Sequence, residues 1–211
     1  MTRYDIQGNI ENEHEPGGRV LKNKLGVRLK REIDRLEYEH LLKTQKHYYR
    51  VIKPTTQFTN HLICEMHHYW LGSIYAWAGK YRTVNLGKMG FLWPPATLVE
   101  RNMAEFEKTS LKKFTPCNQA SLDGVSNSIA MVHAEFLLVH PFREGNGRLA
   151  RLISSLMALQ AGYPAPDFGF SQSKNRQQYL TAVKKGYLQN YELLTSFVKE
   201  AIERSKRLSV S

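Results

Sequence analysis

The segment from residue 140 to residue 151 combines side chains that could act together on a phosphate ester. It reads His-Pro-Phe-Arg-Glu-Gly-Asn-Gly-Arg-Leu-Ala-Arg. A neutral imidazole can accept a proton near pH 7, and a carboxylate beside phosphate oxygens is a usual ligand of Mg²⁺. Glycines let a phosphate approach main-chain N–H groups, and arginines bind phosphate oxygens in pairs. These residue types predict a nucleotide site in which a hydroxyl group is activated for attack.

Five residues of this segment are suited to holding anionic groups. Gly145 and Gly147 lie at the start of a predicted helix, where unpaired N–H groups and a partial positive charge attract anions. Asn146, between them, can add a side-chain amide. Arg148 and Arg151 are three residues apart and share one helix face, so they could bind two phosphates together. The simpler alternatives are a tight turn and two solvated helix charges.

His140 and Glu144 are the candidates for acid–base and metal chemistry. Glu144 would be out of place among phosphates unless a cation lay between them, so we predict that it binds Mg²⁺. His140 is predicted to act as a general base, a role worth typically about 10² to 10⁴ in rate. Each also has a structural explanation, because His140 could simply end a helix and Glu144 could cap the next one. The structural explanations are disfavoured together, because each would have to hold independently for every one of these residues within one short segment.

Length and composition predict one soluble globular domain. The chain has 211 residues, of which 42% are hydrophobic and 23% charged, enough for a single well-packed core. No apolar run reaches the length of a membrane span, and the polar start of the chain does not resemble a secretion signal. Two cysteines without ligand-like spacing, Cys64 and Cys117, suit a reducing compartment. We therefore expect a cytoplasmic protein, with a secreted effector that lacks a classical signal peptide as the alternative.

The formal net charge of +11 admits several explanations. Nucleic acid, ATP or an acidic protein target would each be attracted by it. The basic residues are spread along the chain among acidic ones, so solubility alone also explains the charge. A nucleic-acid partner is not favoured, because no compact basic stripe with interleaved aromatic residues occurs.

Apolar residues recur at helical spacing along most of the chain, which predicts a mostly helical protein. The clearest helix covers residues 121–139, with Leu122, Val125, Ile129, Val132, Phe136 and Val139 on one face. His140 ends it, because the residue before a proline is disfavoured in helical conformation. Further helices are predicted from about Leu29, from about Phe58 with Leu62, Met66 and Tyr69 on one face, from about Thr97 with Val99, Met103 and Phe106, from Leu149 to Gly162, over 174–186 and over 188–207.

Two segments interrupt the helical pattern. The first two dozen residues are polar and rich in glycine, which predicts an irregular arm. Residues 79–95 contain three glycines and two prolines around short stretches such as Tyr-Arg-Thr-Val, which predicts a hairpin or an extended loop.

The segment 140–151 resembles the signature of the Fic family, His-Pro-Phe-x-(Asp/Glu)-Gly-Asn-Gly-Arg-x-x-Arg, at every fixed position. Residues 74–83 and 88–91 are similar to the segment that leads into the flap of the family. The resemblance covers roughly residues 58–190 and implies an all-α Fic fold with a small β-hairpin flap. We expect residues 1–57 to form an arm and a helix, 58–190 the Fic core, and 191–211 a C-terminal helix and tail packed on that core.

The resemblance also implies an activity, the transfer of AMP from ATP to a Tyr, Thr or Ser hydroxyl of a target protein. His140 would deprotonate that hydroxyl, Glu144 would hold Mg²⁺ on the phosphates, and pyrophosphate would leave. Contacts to the nucleotide are expected from Phe142, Gly145, Asn146, Gly147, Arg148, Arg151 and Tyr179. Tyr179 occupies a place where relatives contact the adenosine end, although a single aromatic residue on a helix face is equally compatible with the core.

The resemblance implies two further elements, a target-docking flap and an inhibitory motif. The flap would pair edge to edge with an extended target segment through Lys88, Met89, Gly90 and Phe91, unless it is an ordinary exposed hairpin. The inhibitory motif, (Ser/Thr)-x-x-x-Glu-(Gly/Asn), is approached by Ser196 and Glu200, but Ala201 departs from it. An ordinary surface glutamate on a helix is the alternative.

Several other activities fit the sequence less well. Doc-like relatives transfer a phosphate and carry lysine where this chain has Gly147, and removal of AMP could use the same site. A non-catalytic basic binding module would leave the whole signature unused. A zinc enzyme is disfavoured because His61, His67 and His68 are not part of an HExxH motif. The sequence leaves open the target, the direction of AMP transfer, self-modification, the oligomeric state and the biological purpose.

Overall fold

The computed structural model describes residues 5–7, 14–17, 20–88 and 90–210. Helices and one small sheet form the described part of the chain, as the sequence predicts. The helices are α1 (Lys30–Val51), α2 (Asn60–Leu71), α3 (Val99–Phe106), α4 (Lys112–Phe114), α5 (Leu122–Val139), α6 (Asn146–Gln160), α7 (Ser173–Gly186) and α8 (Glu192–Val210), and a π-helical turn, Glu107–Leu111, joins α3 to α4. The strands are β1 (Asp5–Gln7), β2 (Asn85–Lys88) and β3 (Phe91–Leu92).

Helix α5 lies at the centre of the hydrophobic core and packs against α3, α6, α7 and α8. Ser121 begins it, since its hydroxyl accepts a hydrogen bond from the Gly124 amide at 3.1 Å. The predicted apolar face is buried from Val125 to Val139. His140 ends the helix in a left-handed conformation, with φ 51° and ψ 59°. A helix at the centre of the core therefore carries His140 at its C-terminus.

The other helices largely follow the predicted patterns, with one shift. The buried face of α3 contains Val99, Met103 and Phe106, as predicted. In α2, however, Met66 is buried but Tyr69 is half exposed, and the inward face continues through Trp70 instead. The reason is that α2 lies between α1 and the core, so its buried surface is wider than a single apolar stripe.

The small sheet is antiparallel and has the order β1-β2-β3. The predicted hairpin is β2 and β3, with Gly87 opposite Leu92 and Lys88 opposite Phe91. The N-terminal segment was expected to be irregular, yet its residues 5–7 pair with β2, with Ile6 opposite Leu86. The sequence could not predict this third strand, because pairing depends on where the distant hairpin lies.

Around this core, α1 packs on α2 and α8 packs on α5. The predicted boundaries at residues 57 and 190 stay predictions. In the described ranges, none of the helices has the length and apolar character needed to cross a membrane.

Candidate active site

The signature segment forms a buried loop between α5 and α6. Pro141 to Asn146 are all buried, and α6 begins at Asn146. Gly145 has φ +88°, and a Cβ atom there would lie 2.6 Å from Cζ3 of Trp70. Glycine is required at this position for both reasons, since the left-handed backbone and the indole ring leave no room for a side chain.

Hydrogen bonding to the backbone orients the His140 ring. Its Nδ1 atom lies 3.1 Å from the carbonyl oxygen of Leu137. Because a carbonyl oxygen only accepts, Nδ1 carries the proton and Nε2 is the basic nitrogen of the neutral ring. The indole of Trp93 stacks on the imidazole, with ring centroids 3.9 Å apart. His140 therefore has a fixed orientation and a defined tautomer.

Arg82 ties the flap to the signature loop. Its amide donates to the carbonyl of Pro141 at 2.8 Å, and its Nε donates to the carbonyl of His140 at 2.8 Å. The same guanidinium donates to the carbonyls of Val84 and Pro94, on the two sides of the hairpin. Burial lowers the pKa of Arg82 to about 10, which leaves it charged at neutral pH. One buried arginine thus fixes the hairpin base relative to His140.

His67, on α2, contacts the signature loop and helps to hold it in place. Its Nδ1 accepts a hydrogen bond from the Gly79 amide at 2.8 Å, so the ring proton is on Nε2 and is donated to the carbonyl of Glu144 at 3.0 Å. The ring stacks on Phe142 at 3.9 Å. Burial lowers the pKa of His67 to about 3, so the imidazole is neutral. A neutral ring can satisfy one donor and one acceptor, and here it does both.

Two residues expected to contact the nucleotide, Phe142 and Asn146, contact each other within the loop. Asn146 is fully buried, and its side chain bonds both backbone groups of Phe142, accepting from the amide at 2.9 Å and donating to the carbonyl at 2.7 Å. Phe142 is also fully buried. Both side chains are fully buried in this geometry, and their contact with a nucleotide stays a prediction. The backbone amides of Asn146 and Gly147 begin α6 and have no partner within the helix.

Gly147 and Arg151 form the part of the site best suited to an anion. A Cβ atom added at Gly147 would meet only Nη1 of Arg151, at 3.6 Å. A side chain at this position would fill the space between the helix N-terminus and the guanidinium. A phosphate placed there would meet main-chain N–H groups on one side and a cation on the other.

Arg148 is bound to a carboxylate that the sequence did not indicate. Its Nη1 lies 2.6 Å from Oε2 of Glu37, on α1, and its guanidinium lies over the ring of Trp70 at 4.6 Å. Glu37 is buried and also accepts from the Tyr75 hydroxyl at 2.6 Å. Arg148 is therefore paired with an acidic side chain from outside the loop.

Glu144 is compatible with a magnesium ion that arrives with a nucleotide. Its Oε1 accepts from the Gly145 amide at 2.8 Å and lies 3.5 Å from Nη2 of Arg148. Within the described ranges, no three His, Cys, Asp or Glu side chains come together to form a metal site by themselves. A single carboxylate suits Mg²⁺, which keeps several waters and takes its remaining ligands from phosphates.

Tyr179 lies in the core behind Arg151. Its exposed fraction is 6%, and its ring packs against Phe168, Phe170 and Phe197. Its hydroxyl lies 2.7 Å from Nε2 of His133. Of the two roles that the sequence allowed, contact with adenosine and a place in the core, this burial favours the second.

The flap residues lie over the end of α5. Phe91 stacks on Tyr187 with ring centroids 5.0 Å apart, and the indole N–H of Trp93 donates to the carbonyl of Leu137 at 2.9 Å. Lys88 and Gly90 are exposed at the tip, and Met89 lies outside the described residues. The hairpin thus approaches the same helix end that carries His140.

The candidate inhibitory residues lie elsewhere on the surface. Ser196 and Glu200 are exposed on α8 and line a groove that also contains Lys174 and Gln178 of α7. Arg151 contacts Tyr179 and Phe170. The inhibitory role stays a prediction. The exposed position of Glu200 favours the alternative that it is an ordinary surface glutamate.

Sequence reasoning missed most of the residues that hold the site in place. They are Glu37, His67, Trp70, Arg82, Trp93 and His133, and they come from α1, α2, the flap and α5. The helical patterns indicated that two of these residues could be buried, since His67 and His133 lie beside apolar residues on the buried faces of α2 and α5. Glu37 gave none, because it is one of several glutamates on a charged helix.

A profile of the Fic/DOC family matches residues 57–158, which include α2, the flap, α5, the signature loop and most of α6. Residues 57–158 belong to the Fic/DOC family. The matched segment contains His140, Glu144 and both signature arginines. Glu37 and Tyr179, described above, lie outside it.

Two curated relatives carry the name protein adenylyltransferase. Probable protein adenylyltransferase y4lH of Sinorhizobium fredii is 28% identical over 152 residues, which cover 70% of this chain and 75% of that protein. Protein adenylyltransferase VbhT of Bartonella schoenbuchensis is 24% identical over 214 residues, which cover 100% of this chain and 43% of that protein. The chain therefore spans less than half the length of the second relative.

Solved Fic structures have the same fold. The crystal structure of the effector BepC from Bartonella tribocorum, with bound AMPPNP, superposes with a TM-score of 0.73 at 20% identity and covers 90% of this chain and 96% of that chain. The Fic domain of Bep8 from Bartonella sp. 1-1C superposes with a TM-score of 0.74 at 18% identity and covers 91% of this chain and 94% of that chain. The all-α fold with a small flap is thereby confirmed.

Proposed function

We propose that this Fic protein is an adenylyltransferase that moves AMP from ATP to a hydroxyl group of a target protein. The observation that carries the proposal is the orientation of His140, whose Nδ1 proton is held by the Leu137 carbonyl. This leaves Nε2 as the basic nitrogen. The names of the relatives support the same reaction.

The geometry of the loop supports the following reaction. His140 accepts the proton of the target hydroxyl, and the hydroxyl oxygen bonds to the α-phosphorus while the bond from that phosphorus to the pyrophosphate oxygen breaks. The products are the AMP ester of the target, pyrophosphate and one proton. Catalysis of this kind depends mainly on positioning and on neutralising charge.

The phosphates are held by the start of α6 and by Arg151. The amides at Asn146 and Gly147 donate to phosphate oxygens, and Arg151 binds the terminal phosphate across the space that Gly147 leaves. Arg148, which is paired with Glu37 and Glu144, adds positive charge beside Glu144. Magnesium, when bound at Glu144, supplies positive charge that offsets the charge of the phosphates.

The flap recognises the target through its backbone. An extended segment that adds to the edge of the hairpin gains main-chain hydrogen bonds, which align a hydroxyl without requiring a particular sequence. Arg82 and Trp93 link the hairpin to His140, so alignment at the flap is transmitted to the site of reaction.

The decisive experiment is incubation of the protein with ATP labelled at the α-phosphate, with Mg²⁺ and a cell lysate. We expect label on protein bands, on the chain itself or on a target, and a loss of at least about a hundredfold in His140→Ala. Exposed His61→Ala is the matched control and keeps full activity. Mass analysis then separates the activities, because AMP adds about 329 Da and phosphate about 80 Da to a hydroxyl. Equal labelling by His140→Ala, or an increment of one phosphate, would refute the proposal.

A further inference from the structure

A buried hydrogen-bond chain runs behind the signature helix and ends at Arg151. It consists of Ser154, His133 and Tyr179, from α6, α5 and α7. The Ser154 hydroxyl lies 2.8 Å from Nδ1 of His133, and Nε2 of His133 lies 2.7 Å from the Tyr179 hydroxyl. The hydroxyl of Tyr179 in turn is hydrogen-bonded to the Arg151 side chain.

The direction of each bond in this chain can be assigned. The Ser154 hydroxyl donates to the carbonyl of Ala150 at 2.9 Å, so its oxygen accepts from the Nδ1 proton of His133. Burial lowers the pKa of His133 to about 3, and a neutral ring has only that one proton. Nε2 is therefore an acceptor and takes the Tyr179 proton. The phenol oxygen is left to accept from the guanidinium, which can only donate.

The same tyrosine and a neighbouring ring define the position of the guanidinium. The Cζ atom of Arg151 lies 5.0 Å from the centroid of Phe170, whose ring packs against Tyr179 at 5.0 Å. A hydrogen bond and a cation–π contact from one packed cluster restrict a side chain that would otherwise lose entropy on binding a phosphate. Nη1 of Arg151 is directed toward the bare backbone at Gly147.

We propose that Tyr179 and His133 are positioning residues, whose buried hydroxyl–imidazole pair holds Arg151 in place for the terminal phosphate of ATP. This inference rests on the proposed function, because it needs a phosphate beside Arg151. It replaces the expected contact of Tyr179 with adenosine. Tyr179 does not touch the nucleotide, and its effect passes through the guanidinium.

The test compares the binding of two nucleotides, so it does not depend on turnover. Tyr179→Phe removes the hydroxyl and keeps the packed ring. We expect calorimetry to give about tenfold weaker binding of a non-hydrolysable ATP analogue, which is the scale of one charge-assisted hydrogen bond. AMP lacks the terminal phosphate, so its affinity stays within about twofold. Equal weakening of both nucleotides, or no weakening of either, would overturn the proposal.

A matched control and a double-mutant cycle separate positioning from general destabilisation. Tyr191→Phe also removes a tyrosine hydroxyl hydrogen bond, to Glu135 at 2.5 Å, and should leave both affinities unchanged. Because Tyr179 acts through Arg151, the double variant Tyr179→Phe with Arg151→Gln should bind the analogue no more weakly than Arg151→Gln alone. Additive losses would contradict the inference.

The outcome for Arg151→Gln alone distinguishes this inference from the proposed function. If Arg151→Gln weakens the ATP analogue and Tyr179→Phe does not, positioning by Tyr179 is wrong while phosphate binding by Arg151 stands. If Arg151→Gln itself has no effect, the proposed phosphate site is wrong. His133→Phe provides a second test, because it removes the acceptor of the tyrosine proton and should reproduce the selective loss.

Discussion

The signature loop and the flap both approach His140, but they are built in different ways. The loop is buried from Pro141 to Asn146 and is held by side chains from several helices. The flap has one four-residue strand and one two-residue strand, and its tip residues Lys88 and Gly90 are exposed. A loop fixed on every side suits chemistry that requires exact geometry, whereas an exposed backbone edge suits recognition of varied partners.

The largest effect that would test this comparison is expected from one added methyl group in the loop. In Gly145→Ala, the alanine would have φ +88° and its Cβ atom would lie 2.6 Å from the Trp70 ring. Because neither is tolerated, the loop must move. We expect a loss of about 2 kcal/mol or more in unfolding free energy and at least about tenfold weaker binding of an ATP analogue. Urea unfolding and calorimetry measure the two.

The flap provides the control for that variant. Gly90→Ala has a similar φ of +78°, but a Cβ atom there meets nothing within 4 Å. It should cost only the strain of the left-handed backbone, about 1 kcal/mol, and leave nucleotide affinity unchanged. If the two alanines had the same effect on nucleotide binding, the contrast between loop and flap would be wrong.

An effect of comparable size is expected from acid, which acts on the buried histidines. His67 and His133 have folded-state pKa values of about 3, below the reference of 6.5. Between these values the unfolded chain binds protons that the folded chain does not. The stability is therefore fully present above pH 6.5 and falls as the pH is lowered, by about 1.4 kcal/mol per pH unit for each histidine.

Urea unfolding at pH 6 and pH 5 measures this slope. His67→Gln should reduce the slope by the contribution of one histidine, about 1.4 kcal/mol per pH unit. His61→Ala should not change the slope, because the His61 side chain is 83% exposed. The flap segment 79–95 contains no histidine, so its contribution to stability is not expected to change in this range. An unchanged slope in His67→Gln would contradict the buried neutral state of that ring.

The smallest effect on stability is expected at the flap edge. Residues 5–7 already pair with β2, on the edge where an extended target could add. Proline cannot donate to a strand ladder, so Ile6→Pro should detach this segment, cost under about 1 kcal/mol, and raise target labelling by about fivefold. Ile6→Val keeps the strand and is the control. Lower labelling in Ile6→Pro would mean that the segment supports docking instead of competing with it.

Much of the fold could be read from local patterns. The apolar spacing of α3 and α5 matched the buried faces, and the glycines and prolines of 79–95 marked the flap. Tyr69 was assigned to the wrong side because α2 is covered on two sides, and β1 was missed because its partner lies about 80 residues away.

The sequence by itself determined which residues the loop contains and what chemistry to expect of them, because the signature is continuous. Only the tertiary structure decided how those residues are held. Glu37 meets Arg148 across 111 residues, and Tyr179 meets His133 across 46. Such pairs leave no periodic or local signal, since they depend on how helices distant in sequence pack together.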